Sequence, residues 1–250
     1  ARVEIAPEES IEAVSTRLAQ QEFDAVVLLG KRGLDLSSRI DSPERRVVGA
    51  VFAKPDDIGA GVNAISLAPA PRMLFTKLRE LAPAVKRIHV IYGADDNDWL
   101  IELARSDAAE LGYELLPLHK ESIREGASAY RELLKQIESP QDAIWLLQAS
   151  PFLDENSVLQ MVLRAAWDRN LVVFSSNPSH VPKGALFALF PDNNAMGRHL
   201  AQQLRKPASA SARLLPLEQL DTAINIRTAD HLGLGLNAGD ARFDMVFPNR

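Results

Sequence analysis

The chain contains no cysteine in 250 residues. That excludes disulfides, zinc–thiolate sites, a thiol nucleophile and a lipid-anchoring cysteine within this sequence. It does not locate the protein, because cytoplasm and periplasm both accommodate cysteine-free chains. Basic charge is also short: 28 Lys and Arg face 33 Asp and Glu, a formal net charge of −5. Without a basic footprint, nucleic acid is an unfavourable partner. No apolar run approaches the roughly 20 residues of a transmembrane helix, and no signal-peptide pattern is visible. Catalytic signatures are missing as well. There is no GxSxG elbow. "GKRG" (Gly30–Gly33) lacks P-loop spacing, and "GLGLNAG" (Gly233–Gly239) follows a helical pattern where a dinucleotide fingerprint needs a strand. His89, His119, His180, His199 and His231 are scattered, with no HxxxH or HExxH spacing. No cofactor and no metal is therefore expected. With no acid–base pair, nucleophile or ligand cluster, binding is favoured over catalysis.

What is present is an ordinary globular composition, 46% hydrophobic and 24% charged. Short β-rich runs alternate with amphipathic stretches. Strands are expected at Arg2–Ala6, Asp24–Gly30, Arg45–Ala53, Lys86–Gly93, Tyr113–Leu118, Asp142–Gln148, Leu171–Ser176 and Ala185–Phe190. Helices are expected at Pro7–Gln21, Arg72–Pro83, Asp95–Gly112, Ala127–Ser139, Glu155–Asn170 and Asn193–Arg205. "DAVVLLG" (Asp24–Gly30) is apolar throughout, as suits a strand covered on both faces. Strands separated by helices predict a parallel α/β sheet with right-handed crossovers. About ten strands exceed one compact sheet, so two lobes are expected. "KPASASAR" (Lys206–Arg213) reads as a linker. "DTAINIRTADHLGLGL" (Asp221–Leu236) reads as a late strand through Ile224 and Ile226, then a helix packed by Ala229, Leu232 and Leu234.

In doubly wound sheets, ligands lie beyond the carboxyl ends of the strands. Lys31 and Arg32 could there hold an anion, although a solvated turn is the simpler account of "GKRG". The carboxylates of "ADDNDW" (Ala94–Trp99) could suggest a divalent cation, but helix capping and the helix dipole already account for them. Trp99, Trp145 and Trp167 suit core packing, and His89 suits a packed histidine in a strand. Phe152 differs, because an aromatic in a strand-end loop can close on a ligand.

Four pieces, "FDAVVLLG", "MLFTKLRELAPAVKRIHVIYG", "GALFALFPDNNAMGRHLAQQL" and "LPLEQLDTAINIRTADHLGLGL", stand out over residues 20–236. In order and spacing they resemble the ABC-transporter substrate-binding proteins of the tryptophan- and tyrosine-type uptake group. The resemblance implies a type I periplasmic-binding fold: two doubly wound parallel-sheet lobes joined by three crossovers. It implies lobe 1 from 1–67 plus about 190–210, and lobe 2 from 68–189 plus about 211–250. The first lobe would lack its usual first βα unit. The implied function is an extracytoplasmic or periplasmic solute-binding component of an ABC uptake system, not an enzyme. A small amino-acid-like solute, or another polar anion or amine, would sit in the interlobe cleft. An ABC permease, or a signalling or outer-membrane protein, would be the partner. Gly30, Lys31, Tyr92, Ser150, Phe152, Ser176, Asn177 and Asp192 would line the site. Lys31 would hold an anionic group, and Asp192 would accept from an amine or hydroxyl. Three of the family's polar positions are changed here, to Gly30–Lys31, Tyr92–Gly93–Ala94 and Ala149–Ser150. A sensor or protein-interaction component that kept the fold and lost the solute site is the alternative.

Overall fold

A computed structural model describes residues 4–6, 8–21, 23–40, 45–59, 61–93, 97–148, 150–205 and 213–248. The elements in chain order are α1 (Ile11–Ala19), β1 (Val26–Leu29), α2 (Gly30–Ser37), β2 (Arg46–Val51), β3 (Asn63–Pro69), α3 (Pro71–Leu81) and β4 (Arg87–Gly93). Then come α4 (Asp98–Leu111), β5 (Glu114–Lys120), α5 (Ile123–Gln136), β6 (Asp142–Leu146), α6 (Val158–Asp168) and β7 (Val172–Ser175). The chain continues with β8 (Phe187–Pro191), α7 (Asn193–Gln203), β9 (Arg213–Leu217), β10 (Leu220–Asn225), α8 (Ile226–His231) and β11 (Met245–Phe247).

Local chemistry sets the helix ends. Ser10 and Ser122 accept N–H bonds from Ala13 and Glu125 and so start α1 and α5. Gly112 adopts φ 77° and stops α4, a conformation that costs a residue without Cβ little. Asn225 caps α8 by accepting from the Thr228 N–H at 3.0 Å.

The chain forms two compact units, 1–68 with 192–219, and 69–191 with 220–250. It therefore passes between them three times. In the first unit the sheet order is β1-β2-β3-β9, with β1, β2 and β3 parallel. Val14, Leu18, Leu28, Leu36, Val48 and Ile58 are buried together beneath it. In the second unit the order is β11-β10-β8-β7-β6-β4-β5. The ladders from β5 to β8 are parallel, while β10 runs antiparallel to β8. One face carries Tyr130, Leu134, Ile144, Leu146, Leu159 and Val162. An aromatic file, Phe75, Trp145, Phe174 and Phe187, is also fully buried; Phe75 meets Trp145 edge-on at 5.4 Å and Phe174 stacks on Phe187 at 5.4 Å.

Several expectations change. Arg2 and Val3 of the expected first strand lie outside the described residues, and Glu4–Ala6 is not strand. "KPASASAR" lies outside them too, apart from Arg213, which opens β9. β9 joins the first unit's sheet, although the boundary expected near 211 would assign it to the second. Gly30, placed at the end of a strand, is the first residue of α2. Ile226 opens α8, so the late strand stops at Asn225. β1 is not covered on both faces: Val27 is 38% and Leu29 57% exposed. Trp145 is buried as expected, but Trp167 is 37% exposed and stacks on His231 with ring centroids 3.7 Å apart.

Candidate functional site at the strand ends

Parallel register puts the carboxyl ends of β4, β6 and β7 at one edge of the second unit's sheet. Tyr92 stands at the end of β4, Ser150 and Phe152 in the loop after β6, and Ser176 and Asn177 directly after β7. The fold therefore brings these five residues to the same sheet end. Gly30, Lys31 and Asp192 belong to the first unit.

Their surroundings differ. The Tyr92 ring lies 5.5 Å from that of His119. Burial raises its phenol pKa, and the neighbouring Asp98 carboxylate adds to the rise, so Tyr92 is a neutral donor at ordinary pH. Ser150 is half-buried, and its Oγ accepts from the Phe152 N–H at 3.4 Å. Phe152 does not face an open surface. It is 2% exposed and packs with Tyr130, Leu153 and Leu159. Glycines make room for it: a Cβ on Gly126 would overlap the Phe152 ring, and one on Gly93 would reach it at 3.4 Å. Apolar contact across α5 and β4 thus draws the aromatic inward. Ser176 is also engaged, its Oγ accepting from the Trp145 indole N–H at 3.0 Å in a buried setting. Asn177 stays half-buried and uses Oδ1 to accept from the Ser179 N–H.

In the first unit, Gly30 has φ 73° and no atom within 4 Å of an added Cβ. That torsion turns the chain directly from β1 into α2. Lys31 is exposed. Both line a cavity of about 930 Å³ whose other walls include Leu18, Phe23, Leu28 and Leu36. Apart from Glu4 and Arg32, that lining is mainly apolar, which suits an aliphatic group better than a phosphate. Asp192 is the N-cap of α7, with Oδ1 accepting from the Asn194 and Ala195 N–H groups at 2.9 Å each. That oxygen is therefore committed to the helix.

Two constellations were not legible in the sequence. Asp142, 2% exposed, accepts bidentate bonds from Arg87 at 2.7 and 2.8 Å, a contact with His89 Nε2 at 2.8 Å, and the Glu138 N–H at 2.8 Å. It sits at the amino end of β6, away from the strand-end loops, and is a structural anchor. Beside Ser176, the Ser175 Oγ lies 2.8 Å from His180 Nδ1. These signals needed pairing across 4 to 55 positions. "ADDNDW" is only partly described, because 94–96 fall outside. Among the described residues no group of three or more His, Asp or Glu is placed to hold a metal, and no helix is long and apolar enough to cross a membrane.

No family model and no curated protein sequence matches the chain. Solved structures do. A conserved domain protein from Vibrio cholerae is 20% identical, with a TM-score of 0.58, over 94% of this chain and 82% of that one. An ABC domain from Streptococcus pneumoniae in complex with L-Trp is 17% identical, with a TM-score of 0.59, over 95% and 84%. The ligand-free, open structure of a substrate-binding protein with adhesive properties from Clostridium difficile is 14% identical, with a TM-score of 0.64, over 96% and 83%. These likenesses carry the fold alone: the chain has the mixed α/β architecture of type I periplasmic-binding proteins.

Proposed function

We propose that the chain is an extracytoplasmic solute-binding component that holds a small polar solute with its strand-end loops and acts without catalysis. One observation carries this reading. Tyr92, Ser150 and Asn177 stand at or just beyond the carboxyl ends of neighbouring strands, in a fold shared with the Clostridium difficile substrate-binding protein above. A hydroxyl, a phenol and an amide suit a polar solute, and no nucleophile is required. Uptake through an ABC permease is the role this implies.

A second reading has its own support. Phe152 and Ser176 are engaged in the second unit's packing, and one Asp192 oxygen is engaged in a cap. A binding-protein-like sensor or interaction component without a solute site would look the same at these three positions.

Thermal shift and calorimetry against amino acids, nucleosides, sugars and small dicarboxylates separate the two readings. Under the first, one class raises the melting temperature, and Tyr92→Ala with Asn177→Ala removes the rise. A panel with no response, together with native mass spectrometry showing no co-purified small molecule, would leave the second standing.

A further inference from the structure

His180 is 4% exposed and is held in the turn that follows β7. The Ser175 hydroxyl is the hub of that turn. It lies 2.8 Å from His180 Nδ1 and 3.2 Å from the Leu146 carbonyl oxygen, and it accepts from the Asn177 N–H at 2.9 Å. One hydroxyl hydrogen cannot serve both Leu146 and His180. If it goes to the carbonyl, the only acceptor-only partner, His180 Nδ1–H is a donor and Nε2 is left to receive a second proton. The backbone closes on the same residue: His180 N–H donates to Asn177 O, and the Lys183 and Ala185 N–H groups donate to His180 O. Asn225 Nδ2 ties the neighbouring Val181 carbonyl at 2.7 Å.

We infer that the turn from Ser175 to Ala185 is an acid-released latch, closed while His180 is neutral and opened when the imidazole must be hydrated to take up a proton. The charges that face His180 are Lys183, which opposes the imidazolium, and Glu155, which favours it. These two are paired with each other at 2.8 Å, so they largely offset. Burial is the main opposing influence, and it brings the imidazole pKa from 6.5 down to about 4 in the closed turn. An opened, hydrated imidazole returns to its ordinary value. The open fraction therefore rises about tenfold for each pH unit between 6.5 and about 4. The turn carries Ser176 and Asn177, so its opening would release a solute held there. That gating role rests on the function proposed above, whereas the opening itself does not.

Amide hydrogen exchange on the full chain, without solute, at pH 7 and pH 5 and corrected for intrinsic rates, tests the latch. The expected result is a loss of protection of tenfold or more over 176–185, with the β6–β7 ladder changing less. In His180→Gln the pH-dependent loss disappears. Equal loss across the sheet, or an undiminished loss in His180→Gln, overturns the latch. If that variant does not fold, NMR titration of the wild-type imidazole decides. A ring that titrates near 6.5 while 176–185 stay protected also overturns it. A solute found in the panel that binds equally at pH 7 and pH 5 with the turn open overturns the gating role. A panel with no binder counts against the function proposed above, and the exchange data still decide the latch.

Discussion

Asp192 Oδ1 accepts two backbone N–H groups at the start of α7, so replacing it tests a cap and a ligand contact together unless the two are separated. Asn caps as well as Asp, and Ala does not. Asp192→Ala should cost about 1 kcal/mol of stability, and Asp192→Asn close to none, by urea denaturation. If the carboxylate also binds an amine, Asp192→Asn weakens that solute by about 1.5–3 kcal/mol in calorimetry while stability holds. Unchanged affinity removes Asp192 from the site. Gly126 poses a similar choice. Alanine should favour α5 by about 1 kcal/mol, but its Cβ would overlap Phe152. Overpacking of this kind costs about 1–3 kcal/mol, so Gly126→Ala should be neutral or destabilising. Combined with Phe152→Ala the overlap is relieved, and the pair should be less damaging than the sum of the single changes. A strictly additive pair would show that the ring and the glycine do not constrain each other. This coupling explains why the burial of Phe152 is not legible in the sequence. Its position in a strand-end loop is visible locally, but the glycine that admits it lies 26 positions earlier in the chain.

At the scale of elements, legibility follows the strength of the local pattern. α3, α4, α6 and α7 were readable from helical spacing, caps and stops, and β4, β6 and β7 from their apolar runs. α2 was not. Its sequence "GKRGLDLS" holds two glycines, which oppose helix locally. Gly33 is nonetheless required because a Cβ there would approach the Leu28 backbone at 2.8 Å, a tertiary reason invisible to pattern. β9 and β11 were missed because they are short runs with half-buried positions, and β3 because "NAISLAP" mixes Asn, Ser and Pro with its apolar residues and so lacks a clean period. For β1 the run "VVLL" overstated burial, because Val27 and Leu29 share a face that stays exposed while Leu28 on the other is buried; the strand is also at the sheet edge among the described residues. Leu29→Lys should therefore shift stability by less than about 0.5 kcal/mol and reduce self-association in analytical ultracentrifugation, because charge on an edge strand opposes pairing. A loss above about 1.5 kcal/mol would show that Leu29 is covered in solution.

At the scale of the whole molecule, the two units should respond differently to acid. Burial pushes the Asp142 carboxyl up, but hydrogen bonds from Arg87, His89 and the Glu138 N–H outweigh it and bring the pKa to about 2. His180 is held at about 4. Both folded values lie below the ordinary ones, so both contributions are complete above those ordinary values and are lost as pH falls. The windows are 6.5 to about 4 for His180 and 3.8 to about 2 for Asp142. By pH 4 about 3 kcal/mol of the His180 contribution has been lost, at about 1.4 kcal/mol per unit. Both groups belong to the second unit, as do Trp99, Trp145 and Trp167. Tryptophan fluorescence thus reports the unit that acid weakens, while far-ultraviolet circular dichroism reports both. Urea titrations at pH 7 and pH 4.5 should show the fluorescence midpoint falling further than any circular-dichroism phase that persists after the tryptophans are exposed. His180→Gln should recover most of that fall. Coincident fluorescence and circular-dichroism curves at both pH values would mean that the two units unfold together, with acid sensitivity shared by the whole chain.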